Sequence, residues 1–282
     1  MASLKTDVWN VVLALAAYRE GRLHACGTAF LVGRSLALTA SHVVDQPFDR
    51  RVHNPADSEA PDFGIVALQR VHMRPYGLCW RVESEHRFPV PSTGEDDDRP
   101  VDVALLKLAP LPPFVPELEE FRRWFVEINV APPPVGSSVT AFGFARSKIE
   151  VDLADPTSFV CSNAYRIVQG KVTQVFFPRR DRGMLAFPCF EMEGDFESGM
   201  SGGPIFNERN QVCGVISSGG IPGVCHGAVL WPVLGVEIDG LRLLDLARQG
   251  RIRAANHHCV NVHPARGYDF PGLSFDPNLV RQ

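Results

Sequence analysis

Three polar side chains far apart in this chain have the types that acyl-transfer chemistry requires. Ser201 lies in Gly199-Met200-Ser201-Gly202-Gly203-Pro204. The flanking glycines permit a tight turn and let a substrate carbonyl come close, and the backbone N–H groups of such a turn suit an oxyanion. A serine hydroxyl is a weak nucleophile and needs a base to take its proton. Of the nine histidines, His42 stands out, because the strand-like run Leu36 to Thr39 delivers it to a boundary where it can be partly exposed. An imidazole base in turn needs a carboxylate to fix its tautomer and stabilise the imidazolium. Asp102 is the best candidate. It precedes the apolar run Val103 to Leu108, long enough for a buried strand, where a semi-buried carboxylate needs a partner. Singly, each residue has a plainer explanation: a glycine turn, a core histidine, an aspartate at a strand start. Jointly they favour chemistry.

The elements that must position these groups read as strands. In the first part they fall at Val11 to Leu15, Thr28 to Val32, Leu36 to Thr39, Gly64 to Arg70, Leu78 to Val82 and Val103 to Leu108. Six such strands fit one antiparallel barrel. Two polar insertions, Asp45 to Asp62 and Glu83 to Pro100, decorate it. The acidic run Glu95 to Asp98 reads as a solvated loop, with an acidic rim for basic peptides as the sharper alternative. Prolines at 110, 112, 113, 116 and 132–134 mark a domain crossing around a short helix expected over Glu117 to Asn129. A second set of strands is expected at Val139 to Phe144, Ala164 to Val168, Val172 to Phe177, Leu185 to Met192, Pro204 to Phe206, Val212 to Ser217 and Ala228 to Val233. A helix over Leu241 to Gln249 closes the chain, with Gly250 as its stop.

These segments carry a family resemblance. Thr39-Ala40-Ser41-His42 resembles the T-A-A-H box of trypsin-like serine proteases. Asp102-Val103-Ala104-Leu105-Leu106-Lys107-Leu108 is similar to their D-I-A-L-L-K-L strand, and Gly199 to Pro204 to their G-D-S-G-G-P. The order His, Asp, Ser is also theirs. The resemblance implies an all-β fold of two six-stranded antiparallel β-barrels with a C-terminal helix. It implies an N-terminal barrel over 1–112 carrying His42 and Asp102, a linker over 113–137, and a C-terminal barrel over 138–250 carrying Ser201, with a tail over 251–282. It implies a serine endopeptidase in which Ser201 attacks, His42 is general base and then acid, Asp102 holds His42, and the amides of Gly199 and Ser201 form the oxyanion hole. Ser217, Ser218 and Gly219 would pair with an extended substrate. An ungapped count puts Asp195 at the base of the specificity pocket, where a buried carboxylate favours Arg or Lys at the cleaved position. Phe196 and Glu197 are unusual there, and Glu197 stands where the family has a cysteine. A catalytically silent peptide-binding module is the alternative function, and an esterase a third.

The chain also departs from the family. Met200 replaces the aspartate that pairs with a processed N-terminus, so activation by that ion pair is not expected. Cys26 looks like half of the disulfide beside the histidine, but the partner position is Val43. Seven cysteines without family pairings read as reduced thiols in a cytoplasmic protein. No secretory leader is read at the start. No apolar run reaches the ~18 residues of a membrane span. Net charge is −4, which argues against nucleic acid as the main partner. The expected partners are a protein or peptide substrate and a regulatory protein that restrains a cytosolic protease. No cofactor and no metal are expected. The tail's His257, His258, Cys259 and His263 are weak zinc candidates beside the simpler reading of a surface strap.

Overall fold

The computed structural model describes residues 4–19, 22–33, 35–45, 65–70, 77–89, 100–110, 125–151, 159–235, 237–238, 241–242 and 261–263. A helix α1 (Leu4–Val11) leads into β1 (Val12–Arg19), β2 (Arg22–Gly33) and β3 (Leu36–Thr39), and a short helix α2 (Ser41–Asp45) follows. β4 (Ile65–Arg70), β5 (Gly77–Pro89) and β6 (Pro100–Pro110) complete the first group. These six strands close in the order β1-β2-β3-β6-β5-β4, every pairing antiparallel. Closure removes the exposed edges that an open sheet would present. Val, Leu and Ala dominate these strands because stiff or compact apolar side chains suit a pleated surface buried on both faces. Phe30, Trp80 and Phe88 fill the interior. One polar side chain inside is accounted for: buried Gln69 donates to the Asn10 carbonyl and accepts from Trp80 Nε1, as a buried amide must.

The second part contains β7 (Glu127–Asn129), β8 (Ser138–Val151), β9 (Phe159–Phe176), β10 (Cys189–Glu193), β11 (Pro204–Phe206), β12 (Val212–Ile221) and β13 (Val224–Val229), then a 3-10 turn at Trp231–Gly235. The order β11-β8-β9-β10-β13-β12 closes on itself because β11 also pairs with β12. Two closed six-stranded antiparallel barrels are therefore the architecture, as the resemblance implied. β14 (Glu237–Ile238) and β15 (Leu241–Arg242) form a small separate ribbon. β16 (Asn261–His263) lies parallel to β7, which lies parallel to β12.

Several expectations change. Glu127–Asn129 is a strand, not the end of a helix over Glu117 to Asn129. The helical spacing of its apolar residues yields to tertiary pairing: Ile128 is fully buried opposite Val212, and Gln211 donates to Glu127 and accepts from Asn129. The rest of that helix lies outside the described residues. Leu241 and Arg242 of the closing helix are strand, and its remainder also lies outside. The two strands expected at Ala164 to Val168 and Val172 to Phe177 are one, β9. The end of the expected Ala228 to Val233 strand is the 3-10 turn. In the tail, residues 261–263 extend the second sheet, while His257, His258 and Cys259 lie outside the described residues.

The unforeseen α1 sits where the barrels meet. Its Trp9 ring lies 3.8 Å from the Tyr165 ring of β9, while Asn10 serves Gln69 of the first barrel.

Candidate active site

The end of β3 carries the chain to the rim of the first barrel, and α2 turns His42 back across it. Val43 N donates to the Ala40 carbonyl, closing that turn. β6 runs beside β3, with Thr39 opposite Ala104, which brings Asp102 to the same rim. The Asp102 carboxylate is buried, 6% exposed, and its partners are explicit. His42 Nδ1 lies 3.0 and 2.9 Å from its two oxygens. The His42 backbone N–H donates to Oδ1 at 3.0 Å. The Ser217 hydroxyl, from β12 of the second barrel, donates to Oδ2.

Burial would raise the Asp102 pKa, but the hydrogen bonds and charge of His42, with the Ser217 hydroxyl, hold it below the ordinary carboxylate value. Burial would likewise lower the His42 pKa. Here the Asp102 hydrogen bond and charge outweigh it, and the imidazole lies above its ordinary 6.5. An ionised carboxylate only accepts, so Nδ1 carries the proton. Nε2 is left as the acceptor, on a ring whose side chain is 41% exposed.

Ser201 reaches this rim through backbone contacts. Its carbonyl accepts from Thr28 N at 2.8 Å, and a Cβ added to Gly27 would stand 3.0 Å from that carbonyl and 2.6 Å from Val43 Cγ1. Gly27 thus lies close to both the serine main chain and Val43, the neighbour of His42. Ser201 Oγ and the His42 ring do not share a hydrogen bond; such contacts are often loose before substrate binds. Gly202 has φ +87°, and a Cβ there would meet the Thr28 carbonyl at 2.1 Å and Thr39 Oγ1 at 2.2 Å. Gly199 has φ +95°, with the Phe144 carbonyl 2.6 Å from a notional Cβ. Only glycine fits either position. Gly202 N donates to the carbonyl of Ile216 in β12, and Ile216 N donates back to the Gly203 carbonyl, both at 2.8 Å. Among the described residues, the amides of Gly199 and Ser201 donate to no carbonyl.

Three residues escaped the sequence reading. Thr28 joins the barrels: its hydroxyl donates to the Gly199 carbonyl at 2.8 Å and accepts from Phe144 N at 3.0 Å. A hydroxyl inside an otherwise apolar strand was the available signal, since it had to find partners. Arg146 and Arg166 are the others. Their Nε atoms lie 3.1 and 2.7 Å from the carboxylate oxygens of Glu197. The Glu197 carboxylate is therefore taken up by the protein's own arginines. Arg146 also stands in the left-handed region, φ 51°, and its N–H donates to the Ser198 carbonyl at 3.3 Å. In the position of the family aspartate, Met200 is fully buried and its sulfur accepts from Glu197 N at 3.4 Å.

The specificity region differs from expectation. Asp195 is exposed, not a buried carboxylate. One of its oxygens accepts from Gly223 N at 2.7 Å, so it ties the β12–β13 turn. Ser218 is half-buried and Gly219 exposed on β12. Cys79, Cys189 and Cys213 are thiols whose pKa burial pushes up to about 12. Cys225 is pushed up to about 11, and Cys26 forms no disulfide. Thiols of this kind are poor nucleophiles. Among the described residues, no three His, Cys, Asp or Glu side chains are grouped to hold a metal, and no helix is long and apolar enough to cross a membrane.

Two closed barrels with a histidine–aspartate pair on one and a glycine-framed serine on the other define the chymotrypsin-like class. The sequence matches the trypsin-like peptidase domain over residues 27–215, more than half of the chain, and the chain belongs to that family. Solved structures similar to it include the protease Rv3671c in its inactive form, at 17% identity and a TM-score of 0.47 over 82% of this chain and 88% of that one. The active form from M. tuberculosis is similar at 16% identity and 0.46, over 82% of this chain and 80% of that one. No curated protein sequence matches.

Proposed function

We propose that this protein is a serine endopeptidase. Ser201 Oγ attacks a peptide carbonyl and its proton passes to His42 Nε2. The imidazolium that forms is stabilised by Asp102 through Nδ1–H. The tetrahedral oxyanion takes the N–H groups of Gly199 and Ser201. Collapse of that intermediate moves the proton from Nε2 to the leaving amine and leaves an acyl-Ser201 ester. Water, deprotonated by the same imidazole, then releases the acid. A substrate strand lies along Ser217, Ser218 and Gly219, on the side of β12 opposite β13 and past the pairing with β11, which reaches Val215.

One observation carries this reading. A buried carboxylate accepts from the ring and the backbone of His42 and from Ser217, on the rim where the Ser201 turn docks. The exposed position of Asp195 removes the basis for a preference after Arg or Lys. A second reading, a silent peptide-binding module, draws on the missing hydrogen bond between Ser201 and His42. Turnover decides between them. Wild-type protein should hydrolyse peptides from a proteome-derived mixture, and Ser201→Ala should not. Equal cleavage by both, or retention of peptides with no cleavage by wild type, would sink the endopeptidase. Hydrolysis of small esters with peptides untouched would leave an esterase.

A further inference from the structure

His42 is carried on α2, a single turn of five residues. So short a helix is not stable by itself and depends on what it touches. Its inner side is held by Val43 and Val44, both buried in the core. Its far end is held by charge. Asp45 closes α2 three residues after His42, and its Oδ1 contacts Arg87 Nη1 on β5. The same guanidinium grips a second carboxylate: Nη2 and Nε donate to Glu85 Oε1 at 2.7 and 3.2 Å. Arg87 thus forks between Asp45 and Glu85, a use of its planar donors that a point charge does not reproduce. In the sheet it stands opposite Ala104 of β6, two residues beyond Asp102. One arginine therefore ties the helix of the base to the strand beside the one that carries the acid.

The carboxylates that act on the imidazole are Asp102 from β6 and Asp45 from α2 itself. Burial lowers the His42 pKa, Asp102 raises it, and the Asp45 charge raises it further. A ring that serves as base must stand neutral, so a bare carboxylate at the end of its own helix works against turnover near neutral pH. Arg87 supplies the counter-charge. The Arg87 and Asp45 side chains are 33% and 47% exposed, so solvent screens the pair and its effect is modest. We propose that Arg87 is a positioning residue for the reaction: by seating Asp45 against β5 it holds the turn that carries His42 and neutralises the charge at that turn's end. This rests on the serine-hydrolase reading of the site, and the test separates the two.

The rate at which an alkyl fluorophosphonate labels Ser201, followed across pH, reports the fraction of neutral His42. The NMR shift of the His42 ring protons, assigned by their loss in His42→Ala, reports the same titration without turnover. Arg87→Gln should raise both midpoints by about 0.2–0.7 of a pH unit, the scale of a partly exposed ion pair. It should also slow labelling on the alkaline plateau by about twofold or more, because a loosened base is a misplaced one. Arg87→Lys keeps the charge and loses the fork, so its midpoints should stay near wild type while its plateau falls. Asp45→Asn should lower both midpoints. An unmoved midpoint or an undiminished plateau in Arg87→Gln, with wild-type labelling intact, would overturn the proposal and spare the serine hydrolase. Midpoints displaced as far by lysine as by glutamine would do the same. No uptake of the probe by wild type would overturn both. Should Arg87→Gln fail to fold, Asp45→Asn decides: midpoints that do not fall overturn the proposal.

Discussion

The two barrels hold their halves of the site by different means. In the first, side chains do the work: His42 and Asp102 are joined through ring and backbone, and one hydroxyl from the other barrel completes the carboxylate's shell. In the second, the serine is placed by backbone. Two left-handed glycines and a set of N–H to carbonyl bonds leave no room for a Cβ beside it. On the proposed mechanism, the acid–base half is assembled before substrate arrives, whereas the Ser201 hydroxyl has yet to engage His42. Substitutions in the first half should alter chemistry while sparing the fold. Substitutions at the left-handed glycines of the second half's turn should unsettle the fold itself.

The largest effect expected from this contrast is the loss of turnover in Ser201→Ala and His42→Ala, about a millionfold in kcat, with the unfolding curve of Ser201→Ala close to wild type. Asp102→Asn should cost roughly 10⁴ in kcat because the amide favours the wrong tautomer of His42; a thermal melt should show a folded protein. Gly202→Ala breaks the pattern in the opposite way. Its Cβ would clash with the Thr28 carbonyl and Thr39 Oγ1 in a left-handed conformation, and urea titration should show about 3 kcal/mol or more of lost stability. Activity would then vanish through the fold.

The pH dependence sharpens the same comparison. His42 must be neutral to accept a proton, and Asp102 holds its pKa above 6.5. Turnover should therefore rise with pH through a midpoint above that value. The same shift means that the His42–Asp102 pairing stabilises the fold most below pH 6.5 and that this contribution fades as pH climbs through the raised pKa. The lowered Asp102 pKa adds stability that is present above its ordinary 3.8 and lost as pH falls below it. Ser217→Ala removes one partner of the buried carboxylate. A hydrogen bond to a charged group is worth about 1.5–3 kcal/mol, so kcat should fall by about tenfold or more, measured alongside wild type at the pH optimum. The smallest effect belongs to Glu197→Gln. Its arginine partners are largely exposed, and pairs of that kind contribute about 1 kcal/mol or less. A modest fall in kcat that high salt reproduces in wild type is the expected result.

What the sequence made legible follows the same division. His42, Asp102 and Ser201 stand in short local patterns, each tied to a strand end, and strand periodicity located both barrels. Closure of the second barrel through β11 and β12 was implied by the resemblance, not by any single segment. The linker strand at Glu127–Asn129 was illegible because its apolar residues fall at helical spacing and only pairing with Val212 overrides it. Asp195 was placed by an ungapped count. Whether a carboxylate faces a pocket or a turn depends on the fold of the β12–β13 hairpin, which residue order alone does not state. Thr28, Arg146 and Arg166 act across more than 30 residues of chain, and nothing beside them in sequence announces their partners.

The central claim is that His42 and Asp102 activate Ser201 as a nucleophile. Intact-mass analysis after treatment with an alkyl fluorophosphonate, with peptide mapping of the adduct, tests it most directly. A single adduct on Ser201 in wild type, absent from Ser201→Ala and strongly slowed in His42→Ala, is the predicted result. An adduct elsewhere, or equal labelling of Ser201 with and without His42, would contradict it.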